Sequence, residues 1–94
     1  MRLSKKPFQF PNDQERSNEA AAQARTLTPR QGQIMHLVCE DLQDKEIGER
    51  LHCSRFTVRA HLVMIFQRLG VKGRVGAALA WERAVRSQSE QLFR

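Results

Sequence analysis

Arginines recur on one side of a predicted helix between Ser54 and Leu69, where they could reach the edges of nucleic-acid bases. At helical spacing, one face of this segment consists of Arg55, Phe56, Arg59, Ala60, Val63 and Gln67. This face is basic near its start and short-chained in its middle. A major groove accepts such a surface, because small residues let a helix sit deep while arginine reaches the base edges.

The opposite side of the same segment predicts how the helix is held. Apolar residues recur there at spacings of three and four, as in a buried helix face: Val58, Leu62, Ile65, Phe66 and Leu69. The hydroxyl of Ser54 can accept a hydrogen bond from a backbone N–H of the first turn, so Ser54 is the predicted N-cap. Gly70 follows where a left-handed closing residue is favoured.

The basic charge of the chain is concentrated around this helix. The 94 residues carry a net charge of +6, and no acidic residue lies between Glu49 and Glu82. Acidic residues instead crowd the segment just before the helix: Glu40, Asp41, Asp44, Glu46 and Glu49. This distribution indicates a polyanionic partner.

Length and composition exclude several classes of protein. A chain of 94 residues makes one small domain. No apolar run approaches the roughly 18 residues of a membrane helix, and no apolar signal core follows the basic N-terminus. Two cysteines without a framework of spacings predict a reducing, cytoplasmic setting. No catalytic motif indicates an enzyme, and no cofactor is expected.

Capping signals predict three further helices, and therefore an all-α domain. Thr28 and Gln31 have the spacing of a capping box, which starts the first of these helices. Asp44 is the predicted cap of the next one. Gly73 can cap the last helix, which is predicted from Arg74 to about Arg86.

Residues 1–26 differ in composition from residues 27–94, which hold the predicted four-helix domain. We expect a partly flexible N-terminal arm, in which residues 12–25 could form a helix capped by Asn12. The arm is either a tether, or a segment that packs on a second subunit or follows a DNA backbone. The residues that would follow the DNA are Arg2, Lys5 and Lys6.

Landmarks between Leu27 and about Arg86 carry a resemblance to a known family. They are LTPR, KEI, ERL, the run Thr57-Val58-Arg59, His61, and RLGV followed by Arg74. The segment resembles the LuxR-type (GerE/NarL-type) helix-turn-helix DNA-binding domain. This resemblance implies a four-helix fold whose third helix enters the major groove of double-stranded DNA. It further implies a sequence-specific transcription regulator, usually dimeric on DNA and often through its last helix.

The resemblance also assigns roles to individual residues. It implies base contacts at Arg59, Ala60 and Val63, and we expect a further base contact from Arg55 on the same face. Arg59 is the predicted reader of sequence, because a guanidinium can pair with guanine O6 and N7 together. Phosphate contacts, which position the protein without reading sequence, are expected from Lys45, Thr57, His61, Arg68 and Arg74. His61 could equally be a partly buried core histidine.

Apolar residues of the last helix are too many for one narrow face. Those predicted to serve the domain core are Val75, Ala78 and Leu79. The predicted dimer interface consists of Ala77, Trp81, Ala84 and Val85. In the alternative arrangement, Trp81 folds back to cover the core or the N-terminal arm.

Three positions depart from the family's pattern. Gly48 replaces the usual alanine of the second helix and should cost up to about 1 kcal/mol of helix propensity. Asp41 stands where a helix-ending glycine is common, and Asp tolerates the left-handed geometry better than most residues. Phe56 replaces a basic or small polar residue, and it either packs against DNA or turns into the core.

Two other interpretations stay open. A mixed zinc site is conceivable from four residues, although their spacing matches no finger or ribbon and buried thiols are favoured: His36, Cys39, His52 and Cys53. The second is a protein-interaction module that pairs with another transcription factor. The partners expected are double-stranded DNA, a second copy of the chain and RNA polymerase, with no membrane. The sequence fits both a standalone regulator and an output domain of a longer protein.

Overall fold

Five helices form the part of the chain that the structure describes. The computed structural model describes the backbone of residues 11–92 and the side chains of residues 18–88. In chain order, the helices are α1 (Pro11–Ala24), α2 (Pro29–Cys39), α3 (Asp44–Leu51), α4 (Arg55–Leu69) and α5 (Arg74–Leu92). No strand occurs within residues 11–92, and the predicted all-α class is confirmed. The last helix continues well past its predicted end near residue 86.

Two of the predicted helix starts carry the expected hydrogen bonds. The Thr28 hydroxyl accepts from the Gln31 N–H at 3.1 Å, and Gln31 Oε1 accepts from the Thr28 N–H at 3.0 Å. This reciprocal pair is the predicted capping box of α2. At the start of α4, Ser54 Oγ accepts from the Thr57 N–H at 3.0 Å. Gly70 closes α4 with a left-handed φ of 70°, as predicted.

The cap of α3 lies one residue earlier than predicted. Gln43 rather than Asp44 is the N-cap, and its N–H donates to the Glu46 carboxylate at 2.8 Å. Asp44 is the first residue of α3, and its carboxylate binds arginines of α4 and α5 instead. These partners are distant in sequence, so a local capping signal could not reveal them. The preceding turn contains Asp41 at a left-handed φ of 65°, as expected.

The apolar face of α4 lies at the centre of the core. Val58 and Ile65 are fully buried, and Leu62 and Leu69 nearly so. Phe66 is partly buried and packs against the same core. The spacing of three and four therefore identified the inward face of this helix correctly. Because this face is buried, the opposite face of α4 is exposed to solvent.

The N-terminal helix packs on the rest of the same chain. The sequence predicts it over residues 12–25 with Asn12 as its cap, but α1 begins at Pro11, so Asn12 is its second residue. α1 packs against α4 and α5 through a stripe of small residues, which are buried: Ala20, Ala21 and Ala24. The basic residues proposed to follow DNA lie outside the described residues: Arg2, Lys5 and Lys6.

α5 buries the face that the sequence predicts to be exposed. Ala77 and Ala84 are buried, whereas Val75 and Leu79 are 74% and 62% exposed. The assignment of Ala77 and Ala84 to a dimer interface is therefore wrong, as is the assignment of Val75 and Leu79 to the core. The physical reason is that α1 also packs on α5, and alanines allow the two helices a close approach.

Trp81 also faces inward, towards α2. A Cβ added at Gly32 would lie 3.1 Å from Cη2 of the indole, so the ring covers a part of α2 that has no side chain. Trp81 is partly buried and packs against the core. Trp81 therefore folds back over the core, as in the alternative arrangement, and does not form a surface contact. Val85, one turn further on, is 42% exposed.

Gly48 is needed for the close approach of α3 to the turn before α4. A Cβ added at this position would lie 2.5 Å from the backbone oxygen of Cys53 and 3.2 Å from the backbone carbon of Ser54. The turn itself closes α3 through His52, which has a left-handed φ of 61°. Gly48 therefore lowers helix propensity but leaves the space that the turn before α4 occupies.

Gly48→Ala is expected to lower the free energy of unfolding by about 1 kcal/mol. Alanine gains up to about 1 kcal/mol in helix propensity, but overpacking against fixed backbone costs about 1–3 kcal/mol. Urea denaturation followed by circular dichroism measures the net change. Glu49→Ala, an exposed change on the same helix, is the control and should alter the midpoint little, because Glu and Ala are both good helix formers. A higher denaturation midpoint for Gly48→Ala would mean that the turn can move away from α3 at little cost.

Candidate nucleic-acid interface

The predicted outer face of α4 is exposed along its whole length. Its members are Arg55, Phe56, Arg59, Ala60, Val63 and Gln67. Phe56 is 66% exposed, which decides between its two predicted orientations in favour of solvent. The guanidinium carbon of Arg55 lies 5.4 Å from the centre of the Phe56 ring, within the range of a cation–π contact. The first turn of α4 therefore presents an aromatic ring and a cation together.

Arg59 lies beside a carboxylate of α3. Its Nε donates to Asp44 Oδ2 at 3.4 Å, while the Arg59 side chain stays 66% exposed. Nη1 and Nη2 form the other edge of the guanidinium, which carries four of its five N–H donors. A guanidinium edge of this kind matches the paired acceptors of guanine.

Arg74 binds two acceptors of its own chain. Its Nη1 donates to Asp44 Oδ1 and its Nη2 to the carbonyl oxygen of Leu42, both at 2.7 Å. These short, charge-assisted bonds tie the start of α5 to the segment between α2 and α3. Both terminal amino groups therefore have protein acceptors, and the predicted phosphate contact of Arg74 stays a prediction.

The other predicted phosphate contacts are accessible to different degrees. Lys45 is exposed in the first turn of α3, and Thr57 is exposed with its hydroxyl 3.1 Å from Ser54 Oγ. Arg68 is exposed, and its Nε donates to Thr26 Oγ1 at 3.1 Å. Their contacts with phosphate stay predictions.

The contact of His61 with a phosphate stays a prediction. The residue is partly buried, and its Nδ1 is a buried nitrogen without a hydrogen-bond partner among the described residues. A neutral imidazole has a second ring nitrogen, Nε2, which can donate when Nδ1 does not. Nε2 is therefore the atom through which His61 could contact a phosphate.

The zinc interpretation receives no support from the cysteines. Both Cys39 and Cys53 are thiols and are partly buried. Burial, and secondarily the negative charge of Glu82, raise the pKa of the Cys39 thiol, which disfavours the thiolate that binds metal. The described residues hold no group of three His, Cys, Asp or Glu placed to bind a metal ion. None of the described helices is long and apolar enough to cross a membrane.

Sequence reasoning missed two residues at this surface. Asp44 was expected to cap α3, and only its contacts with residues 15 and 30 positions away reveal its place beside Arg59. Met64 is 56% exposed next to Val63, although Met usually prefers the interior. An exposed apolar residue within helical reach of the basic face is the signal that could have identified Met64.

The sequence that forms this surface matches a known protein family. A family model described as "Bacterial regulatory proteins, luxR family" matches residues 25–80. The chain is 42% identical over 53 residues to the spore germination protein GerE of Bacillus subtilis (strain 168), an overlap of 56% of this chain and 72% of GerE. It is 38% identical over 63 residues to the transcriptional regulatory protein LiaR of the same organism, an overlap of 67% of this chain.

A third relative is longer than this chain, as is LiaR. The chain is 33% identical over 66 residues to the nitrate/nitrite response regulator protein NarL of Escherichia coli (strain K12), an overlap of 68% of this chain. It spans only 30% of LiaR, 31% of NarL and 28% of the Escherichia coli protein YhjB. No solved structure matches the chain. Because the family match covers more than half of its residues, the chain belongs to the LuxR family of bacterial regulatory proteins.

Proposed function

We propose that this chain is a sequence-specific transcription regulator that binds double-stranded DNA by laying α4 in the major groove. The observation that carries the proposal is the exposed face of α4, where Arg55 and Arg59 precede the smaller side chains of Ala60 and Val63. No acidic residue lies anywhere from residue 50 to residue 81. Such a face can enter the groove and offers donors to base edges. Membership of a family named for regulatory proteins supports the same function.

Within this proposal, exposure and chemistry divide the residues of the interface. Arg59 reads guanine, and Ala60 and Val63 make apolar contacts with thymine methyls. Arg55 adds a second donor at the start of the helix. The phosphate contacts that position the helix come from Lys45, Thr57, Arg68 and His61.

The proposal extends to assembly and location. Val75 and Leu79 are large apolar side chains exposed on α5, and they support a homodimer formed through this helix. The thiols of Cys39 and Cys53 support a reducing compartment, the cytoplasm, where the DNA of a bacterium lies. RNA polymerase is the partner through which a regulator bound near a gene would act.

The test of DNA binding is a salt titration. The purified chain is expected to bind a random-sequence duplex with a dissociation constant of about 10⁻⁴–10⁻⁶ M, measured by fluorescence anisotropy. Each neutralised phosphate contributes about −0.9 to the slope of log affinity against log salt concentration. Removing two phosphate contacts together, in Lys45→Ala/Arg68→Ala, should therefore flatten this slope by nearly two.

Arg86→Ala is the matched control for that experiment. Arg86 is exposed on α5 beside His36 and Trp81, so its loss should leave the slope unchanged. Absence of binding even at low salt would overturn the proposal. The exposed Phe56, Val75 and Leu79 would then favour the protein-interaction module, because large apolar groups at a surface often mark a protein interface.

A further inference from the structure

Asp44 joins two arginines that come from different helices. Its Oδ1 accepts from Arg74 Nη1 of α5 at 2.7 Å, and its Oδ2 accepts from Arg59 Nε of α4 at 3.4 Å. The two oxygens of one carboxylate therefore face different partners. The shorter contact holds the carboxylate, and the longer one reaches the proposed reader of DNA sequence.

The position of Asp44 is fixed from three sides. It is the first residue of α3, where the exposed N–H groups of a helix favour a negative charge. Its side chain is only 15% exposed. Arg74 is itself held by the carbonyl oxygen of Leu42 at 2.7 Å, so it cannot swing away with the carboxylate. Asp44 is thus a well-held acceptor beside an exposed side chain.

Arg59 needs such an acceptor because it is long and exposed. An exposed arginine loses up to about 2 kcal/mol of rotamer entropy when it is held in one conformation. Asp44 engages Nε, the N–H nearest the main chain, and leaves the edge formed by Nη1 and Nη2 directed away from the contact. That edge can donate to both guanine acceptors, O6 and N7, at once.

We propose that Asp44 is a positioning residue that sets the base preference of Arg59, with Arg74 holding Asp44 in place. The inference rests on the proposed function, since it concerns how α4 reads DNA. Asp44 does not itself touch a base; it acts by limiting the directions in which the Arg59 guanidinium can point. Its effect is therefore confined to the base pair that Arg59 contacts.

The negative charge of Asp44 allows the positioning role to be distinguished experimentally from a role in stabilising the fold. Asp44 is an acidic group beside a surface that binds phosphates, so its removal should strengthen binding to random-sequence DNA. Loss of positioning should at the same time weaken the preference for one base pair. A residue that only stabilised the fold would lower both quantities. The two effects of opposite sign are the signature of positioning.

The experiment uses the full chain and compares Asp44→Ala, Asp44→Asn and the wild type. In-vitro selection with the wild type first defines the DNA site. Anisotropy then gives the affinity for that site, for the site with each base pair replaced in turn, and for random DNA. Asp44→Ala should lose about fivefold in discrimination at one base pair, which is about 1 kcal/mol at 1.4 kcal/mol per tenfold. Asp44→Asn keeps one acceptor oxygen for Arg74 but turns an NH2 donor towards Arg59, so it should lose discrimination to a similar extent while the contact with Arg74 is kept.

Two controls isolate the contact with Arg59. Glu49→Ala removes the same charge from an exposed position of α3 without touching Arg59, and it should leave base preference unchanged. In an Arg59→Ala background, Asp44→Ala should have no further effect on discrimination, because the pair acts as a unit. Circular dichroism verifies that each variant is folded. If Asp44→Ala does not fold, base discrimination is measured on Asp44→Asn instead.

The possible results distinguish failure of the positioning role from failure of the proposed DNA-binding function. If the wild type selects a site but Asp44→Ala keeps its full base preference, the positioning role is overturned and DNA reading stands. An equal loss at every base pair and on random DNA would also overturn it, in favour of a structural role. Failure of the wild type to select any site would overturn the proposed function, and the positioning role with it.

Discussion

Arg59→Ala is expected to weaken binding to the specific DNA site by about 5- to 150-fold and to relax base preference at one position. A guanidinium paired with guanine O6 and N7 discriminates against a wrong base by about 1–3 kcal/mol, and 1.4 kcal/mol is a factor of ten. Arg59 is 66% exposed and lies on the outer face of α4 next to Ala60, so its replacement leaves the core intact. Anisotropy titrations on the selected site and its single-base-pair variants measure both effects.

The control for Arg59→Ala is a change of equal charge elsewhere on the surface. Arg86→Ala also removes one exposed cation, but from a groove that α5 forms with α2. We expect Arg86→Ala to leave base preference unchanged and to alter affinity by less than about twofold, because charges beyond a Debye length of about 8–10 Å are largely screened. A normal base preference in Arg59→Ala would show that another residue reads the sequence, with Arg55 the first candidate.

Local chemistry explains why much of this architecture could be predicted. The Ser54 cap and the box formed by Thr28 and Gln31 involve residues three positions apart, so their hydrogen bonds depend on little beyond the segment itself. The inward face of α4 was equally predictable, because a period near 3.6 places Val58 and Ile65 on one side. Once that face is inside, the basic face must be outside.

Contacts between distant segments explain what could not be predicted. Asp44 has the residue type of a helix cap, and nothing near it in sequence indicates that Arg59 and Arg74 bind its carboxylate. The choice of face on α5 depended on a partner helix in the same way. Because α5 is apolar on more than one side, only the packing of α1 decides that alanines rather than Val75 and Leu79 face inward.

Trp81→Ala is expected to lower the free energy of unfolding by about 2–4 kcal/mol. Truncating a buried aromatic side chain costs about 3–5 kcal/mol, and the cost is smaller here because Trp81 is only partly buried. The indole packs over Gly32, which has no side chain to close the space left behind. Urea denaturation at several protein concentrations measures the loss. The midpoint should fall by the same amount at every concentration, since the contact lies within one chain.

Val85→Ala on the same helix distinguishes core packing from a contact between chains. Val85 is 42% exposed, and its truncation should cost less than about 1 kcal/mol. A dimer raises apparent stability in proportion to the logarithm of protein concentration, because association favours the folded state. If Trp81→Ala kept the wild-type midpoint in dilute solution and lost only its increase with concentration, Trp81 would belong to a subunit interface. The inward packing against Gly32 predicts the opposite result, a chain destabilised by the same amount at every protein concentration.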